Sequence, residues 1–436
     1  MPSSVCCKSG AYHHSLVFVA ITSLYSFLVK LGGTFYSFQW DILLLETGFV
    51  TSLCYAPWFR RNFKANQDQL GVGAWPIRFL LFKLMFMSGV VKVLADCPTW
   101  TNLTALEYHF ATQCLPGPLA WYAHQLHPFL LRLSVAMTLL IEIPISFLLI
   151  APIPIWRKIG AYLQLVLQIM IILSGNYNFF NILTMVLCIP CFEDDIKAAS
   201  KDDNASESKF GWHYISVSMC CAVIAWCFGK MFILDNGIKH EMNISLNMTK
   251  QECTKMIENI LPITIICTFA FLFRSTFLIW MNIARNRDGV FSFRMLKFTM
   301  HFIACFVCVG IVSVPFLNLV PGLNNLMVMA PSQIFVKSWK QVQPYGLSNG
   351  YGLFRRMTGV GENRGFDRGT YGWANEAPSI VERPEIILEG FLEKDKQWKE
   401  LKFRWKPGDV YSLPKQVAPH QPRVCQIASQ FQSSVF

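Results

Sequence analysis

Charge is what this chain has least of. Of its 436 residues only 15% are Asp, Glu, Lys or Arg, against about 25% in an average soluble domain. That scarcity excludes an ordinary soluble protein, and the 53% of hydrophobic residues falls in runs of about 18 to 25, long enough to cross about 30 Å of hydrocarbon. The sequence lacks G-x-S-x-G, H-E-x-x-H, P-loop and dinucleotide-binding fingerprints, so no catalytic residue, cofactor or metal site is assigned. It also lacks internal repeats and low-complexity tracts. A net charge of +11 does not point to nucleic acid, because the basic residues gather beside the apolar runs, where they set orientation.

In lipid every backbone polar group must bond internally, so these runs predict an all-α polytopic bundle. We place nine spans at about 15–35, 40–57, 76–95, 128–151, 157–173, 176–192, 212–234, 258–283 and 296–320. Loops 58–75, 152–158, 193–211 and 284–297 carry most of the Lys and Arg, whereas the alternate set holds only Lys239, Lys250 and Lys255. The positive-inside bias therefore puts residues 1–14 in the cytosol and loop 96–127 in the lumen. The sequons at Asn102, Asn243 and Asn247 fall on that lumenal side, and only that at Asn204 falls on the other. Residues 15–320 then form the membrane domain and 321–436 a lumenal region. Within it, Glu385–Leu392 and Trp398–Trp405 alternate around a polar turn, predicting two strands of a small β-rich domain. A cleaved signal peptide fits less well, since the first apolar run outlasts the usual 7–15 residues.

Most of the fifteen cysteines lie inside apolar runs. Cys97 and Cys114 instead bound a lumenal segment without Lys or Arg, and pairing them would contribute about 3 kcal/mol. Two free thiols are the alternative. Cys188 and Cys191 have C-x-x-C spacing but no accompanying redox or zinc pattern.

Ionisable residues inside spans are expensive. Asp41 and Glu46 lie about 140° apart on a helix, so they do not form one carboxylate face. Glu46 is expected to pair with Lys83 or Lys92, a proton relay being the alternative. Glu142 stands alone beside Pro144, which is expected to kink its helix. Gln164 and Gln168 share a face suited to interhelical hydrogen bonds, and Arg274 is either packed or snorkelling. The run Ser174–Asn181 offers three asparagines and a tyrosine for capping and packing, or for a polar ligand. His109 is a conceivable base or ligand, but nothing nearby completes a set.

Five ordered blocks, Gln39–Phe49, Lys83–Lys92, Cys97 to Cys114, Ser174–Asn181 and Tyr351–Gly359, resemble the lipase maturation factor family. The resemblance implies an endoplasmic-reticulum membrane glycoprotein that helps secreted lipases, such as lipoprotein lipase, fold and assemble, by chaperone-like binding rather than catalysis. It implies lumenal chaperones or redox proteins as further partners. It assigns client contact to the lumenal region that includes Tyr351, Gly352, Leu353, Phe354, Arg355, Arg356 and Met357. Against the family pattern the chain is expected to be incomplete at both ends, with an insertion at 362–382. The competing expectations are a membrane-embedded enzyme using His109, Glu46 or Lys83, and a transporter lined by Asp41, Glu46, Glu142 and Arg274. Convergence of Lys83, Glu46 and His109 on one cavity would favour those; separate buried pairs would favour a scaffold.

Overall fold

A computed structural model describes residues 15–36, 38–55, 63–113, 115–192, 206–236, 242–285, 291–325, 330–352, 354–355, 357, 387, 389–393, 396–401 and 413–417. A helix occupies each of the nine apolar runs: α1 (Ser15–Gly32), α2 (Gln39–Val50), α3 (Phe63–Leu94), α7 (Pro128–Glu142), α8 (Pro154–Ser174), α9 (Phe180–Leu187), α10 (Ser206–Met231), α11 (Lys250–Arg285) and α12 (Phe291–Leu317). Among the described residues, five stretches are both long and apolar enough to cross a membrane: 128–150, 154–174, 212–231, 250–285 and 295–317.

The bundle is built around α3. From Val72 to Val93 it is buried all round, the signature of a helix with neighbours on every side. Its Phe79, Phe82 and Phe86 interleave with Phe147 and Phe316, ring centroids 5.0–6.1 Å apart, in tilted and edge-on arrangements, with Phe82 and Phe86 stacked on each other. Gly89 is required here. A Cβ would lie 3.1 Å from the Glu142 carbonyl carbon, so its absence lets α3 and α7 touch.

Pro144 acts as the sequence suggests. Helix α7 stops at Glu142, Ile143 departs from helical geometry, and a 3₁₀ segment carries on over Ile145–Ile150. Gln164 of α8 donates to the Ile141 carbonyl left at this break (3.0 Å), and Gln168 accepts from Asn181 of α9 (2.7 Å). The two glutamines thus do the interhelical work expected of them. Arg274 is exposed on α11, which fits snorkelling.

Three short helices fill the connection between α3 and α7: α4 (Pro98–Thr101), α5 (Ala105–Thr112) and α6 (Pro118–His124). A hairpin absent from the sequence reading joins α10 to α11, with β1 (Phe232–Asn236) antiparallel to β2 (Met242–Leu246). The expected C-terminal hairpin is present as β3 (Glu389–Leu392) and β4 (Gln397–Glu400), with Leu392 opposite Gln397. Residues 1–14, Cys114, Leu353, Arg356 and the expected insertion at 362–382 lie outside the described residues.

Chain beyond residue 320 also packs against the bundle. There α13 (Ala330–Val342) lies against α12, with Phe335 filling the notch left by Gly310 and contacting Phe269 and Phe306. Residues 345–352 and 357 then pack against the bundle: Ser26 donates to the Tyr345 carbonyl, Ser348 donates to the Ile311 carbonyl, and Tyr351 and Met357 are buried. Hydropathy missed this stretch because polar side chains and turns interrupt its apolar anchors.

Candidate functional site

The chemistry-bearing residues gather along α3 and at one end of the bundle. Lys83 and Lys92 lie nine positions apart, which on a helix means opposite faces and about 13 Å of rise. Each meets a different carboxylate. Lys83 Nζ is 2.6 Å from Glu46 Oε1 with both side chains fully buried, and Lys92 Nζ is 2.5 Å from Glu142 Oε2. Of the two partners expected for Glu46, Lys83 is therefore the one, and Glu142, read as solitary, is ion-paired. Burying charges this way is costly unless the remaining polar positions are also filled. For Glu46 they are. Its Oε2 accepts from the Tyr351 hydroxyl (2.5 Å) and from the Asn349 backbone N–H (3.3 Å). Gly346, at φ +70°, makes the turn that delivers this segment against Leu45.

Asp41 takes no part in either pair. It accepts from the Tyr25 hydroxyl of α1 at 2.6 Å, which ties α1 to α2.

The lumen-assigned loop stacks above Lys92. Cys97 precedes α4 and is buried, its sulfur 3.2 Å from the Thr99 hydroxyl. Trp100 places its ring 5.1 Å from Lys92 Nζ and donates its indole N–H to the Phe354 carbonyl at 2.7 Å. Phe354 holds φ +54°, unusual for a large side chain, and its ring meets His109 and Tyr177 edge-on at 5.0 and 5.5 Å. His109 Nε2 lies 2.5 Å from the Tyr177 hydroxyl. Burial pushes the imidazole down to about 4, and the nearby Lys92 charge adds to the effect. At neutral pH His109 is thus an uncharged member of an aromatic cluster.

The Ser174–Asn181 run works as a clasp. Gln113 donates to the Ser174 carbonyl, Asn176 donates to the Leu115 carbonyl and accepts from the Val417 backbone N–H, and Asn178 accepts from the Phe179 N–H. These are the capping and packing roles set out for it. Cys188 and Cys191 are buried thiols that donate to the Thr184 and Leu149 carbonyls.

The sequons differ in setting. Asn102 caps the end of α4, Asn243 in β2 accepts from Arg132 through Oδ1 at 2.5 Å, and Asn247 is exposed just beyond β2. Of the described residues in the block expected to contact a client, Tyr351 and Met357 are buried, and Phe354 and Arg355 are exposed. The sequence reading missed three participants: Asn349, Trp100 and the pairing of Tyr177 with His109. A Tyr and a Trp in charge-poor segments between apolar runs were the available signal.

Lys83–Glu46 thus stands apart from Lys92–Glu142, and the His109 cluster adjoins only the second pair, through Trp100 and Phe354, so Lys83, Glu46 and His109 do not converge on one site. These assemblies define a mostly helical, multi-pass membrane protein whose intramembrane charges are locked by its own later segments. The chain belongs to the lipase maturation factor family. The family's transmembrane domain matches residues 1–199 and its C-terminal domain residues 368–428. The chain is 34% identical over 431 residues to lipase maturation factor 2 of Xenopus laevis, covering 94% of this chain and 56% of that protein. Against the Homo sapiens factor 2 the identity is 31% over 441 residues, covering 94% and 57%. With lipase maturation factor 1 of Mus musculus it is 32% over 179 residues, 41% of this chain and 31% of that protein. The chain spans a little over half the length of the factor 2 relatives. No solved structure matches it.

Proposed function

We propose that this chain acts in the maturation of secreted lipases as a multi-pass factor of the endoplasmic-reticulum membrane, holding its client by chaperone-like binding. The observation that carries the reading is the match to proteins named lipase maturation factor 2 across 94% of the chain. The separation of the two buried ion pairs favours a scaffold over an enzyme or transporter, because neither pair is shared with His109.

In this reading nine spans put the N-terminus in the cytosol and the C-terminal region in the lumen. One structural regularity supports that arrangement. Contacts Trp100–Phe354, His109–Tyr177, Pro116–Gly175 and Arg132–Asn243 gather the proposed lumenal segments at one end of the bundle. A Cys97–Cys114 disulfide and glycans at Asn102, Asn243 and Asn247 belong to the same proposal. Lipoprotein lipase is the representative client, with lumenal chaperones or redox proteins as further partners.

Crosslinking and pulldown from microsomes of lipase-secreting cells tests it. Recovery of a secreted lipase is the expected result; recovery of the factor with no lipase overturns the reading.

A further inference from the structure

Residues 116–128 form a surface that the buried assemblies leave unused. At one end, Pro116 forms an isolated antiparallel bridge with Gly175, directly after α8 stops at Ser174. Gly117 packs beside it: a Cβ there would lie 3.1 Å from Gln416 Oε1 and in contact with the Gly175 nitrogen (3.4 Å) and the Leu173 carbonyl oxygen (3.5 Å). At the other end, the stretch runs into Pro128, where the membrane-length segment 128–150 begins. Helix α6 is therefore tethered at both ends to the level at which two membrane-length helices terminate.

Its side chains suit that position. Leu119, Trp121, Tyr122 and Leu126 are 46–61% exposed, and the Trp121 and Tyr122 rings meet edge-on at 5.1 Å. Between Cys114 and Arg132 the sequence has no Lys, Arg, Asp or Glu. Aromatic rings with one polar edge, flanked by leucines, are the chemistry of the headgroup–acyl boundary.

We propose that residues 118–130 are an interfacial anchor that seats Leu119, Trp121, Tyr122 and Leu126 in the lipid leaflet where α7 begins and α8 ends. The occupant is lipid because the uncharged patch adjoins exposed apolar side chains of the two helices, Leu130 at the start of α7 and Met170 and Leu173 in the last turns of α8, with exposed His124, Gln125 and His127 as the polar edge an interfacial segment turns to water. Anchored so, α6 holds the adjoining loop, and with it the His109 cluster, at a fixed height over the Lys92–Glu142 pair. This inference rests on the membrane-length helices alone and is independent of the lipase reading.

The test places the photo-crosslinker p-benzoylphenylalanine at position 121 or 122 of the full chain in microsomes, an aromatic-for-aromatic exchange that spares the fold. Position 226 on α10, where Trp226 is 64% exposed, calibrates contact with lipid. Phospholipid adducts at 121 and 122 are expected within about twofold of the yield at 226. Polypeptide adducts in their place would make the patch a protein-docking surface and overturn the proposal. So would no adduct of either kind while position 226 crosslinks lipid in the same membranes.

Discussion

Replacing Glu46 by Gln tests the reasoning about buried charge most directly. Gln keeps an acceptor for the Tyr351 hydroxyl and the Asn349 N–H, so the loss isolates the ion pair with Lys83. Removing one partner of a fully buried pair costs about 3–5 kcal/mol, because the other charge is left without compensation. Lys83→Met strands the carboxylate instead, and two remaining donors hold its cost to about 3 kcal/mol, the lower end of that range. The double variant Glu46→Gln with Lys83→Met leaves no buried charge, so it should be more stable than either single variant, a coupling of at least about 3 kcal/mol. Unfolding of the purified proteins in mixed micelles, followed by tryptophan fluorescence, measures all four corners of this cycle. Simple addition of the two losses, or single variants within about 0.5 kcal/mol of the parent, would refute the argument.

His109 yields a pH dependence. Its folded value of about 4 lies below the ordinary 6.5, so the unfolded chain takes up the proton first as pH falls. Stability should hold above about pH 6.5 and decline from there towards pH 4, and His109→Gln should flatten that slope in the same unfolding assay. Glycan occupancy should follow the local geometry at β2. Because Asn243 is engaged by Arg132 whereas Asn247 is exposed, Asn247→Gln should remove more of the endoglycosidase-sensitive mobility shift than Asn243→Gln.

The positions of all nine helices were legible in the sequence because burial in lipid or protein demands long apolar runs, whatever their neighbours. Partnerships were legible only where chemistry left little choice. Glu46 needed a cation in the adjacent span, whereas Lys92 and Glu142, fifty residues apart, carry no mark of each other. Helix α3 shows why counting charges alone misleads. Arg78, Lys83 and Lys92 spoil its apolar profile, yet each is neutralised or hydrogen-bonded internally, Arg78 by the Pro190 carbonyl. The segment 330–357 escaped notice for the opposite reason, since its burial comes from single side chains such as Phe335 and Tyr351 rather than from a periodic stripe.

The bond from Tyr351 to Glu46 joins residues 305 positions apart. At a synthesis rate of about 5–20 residues per second, Glu46 enters the membrane roughly 15–60 s before the hydroxyl that completes its coordination exists. During that interval the early helices must persist with an under-satisfied carboxylate. The full set of partners around Glu46 is therefore complete only once the chain has been made past residue 351.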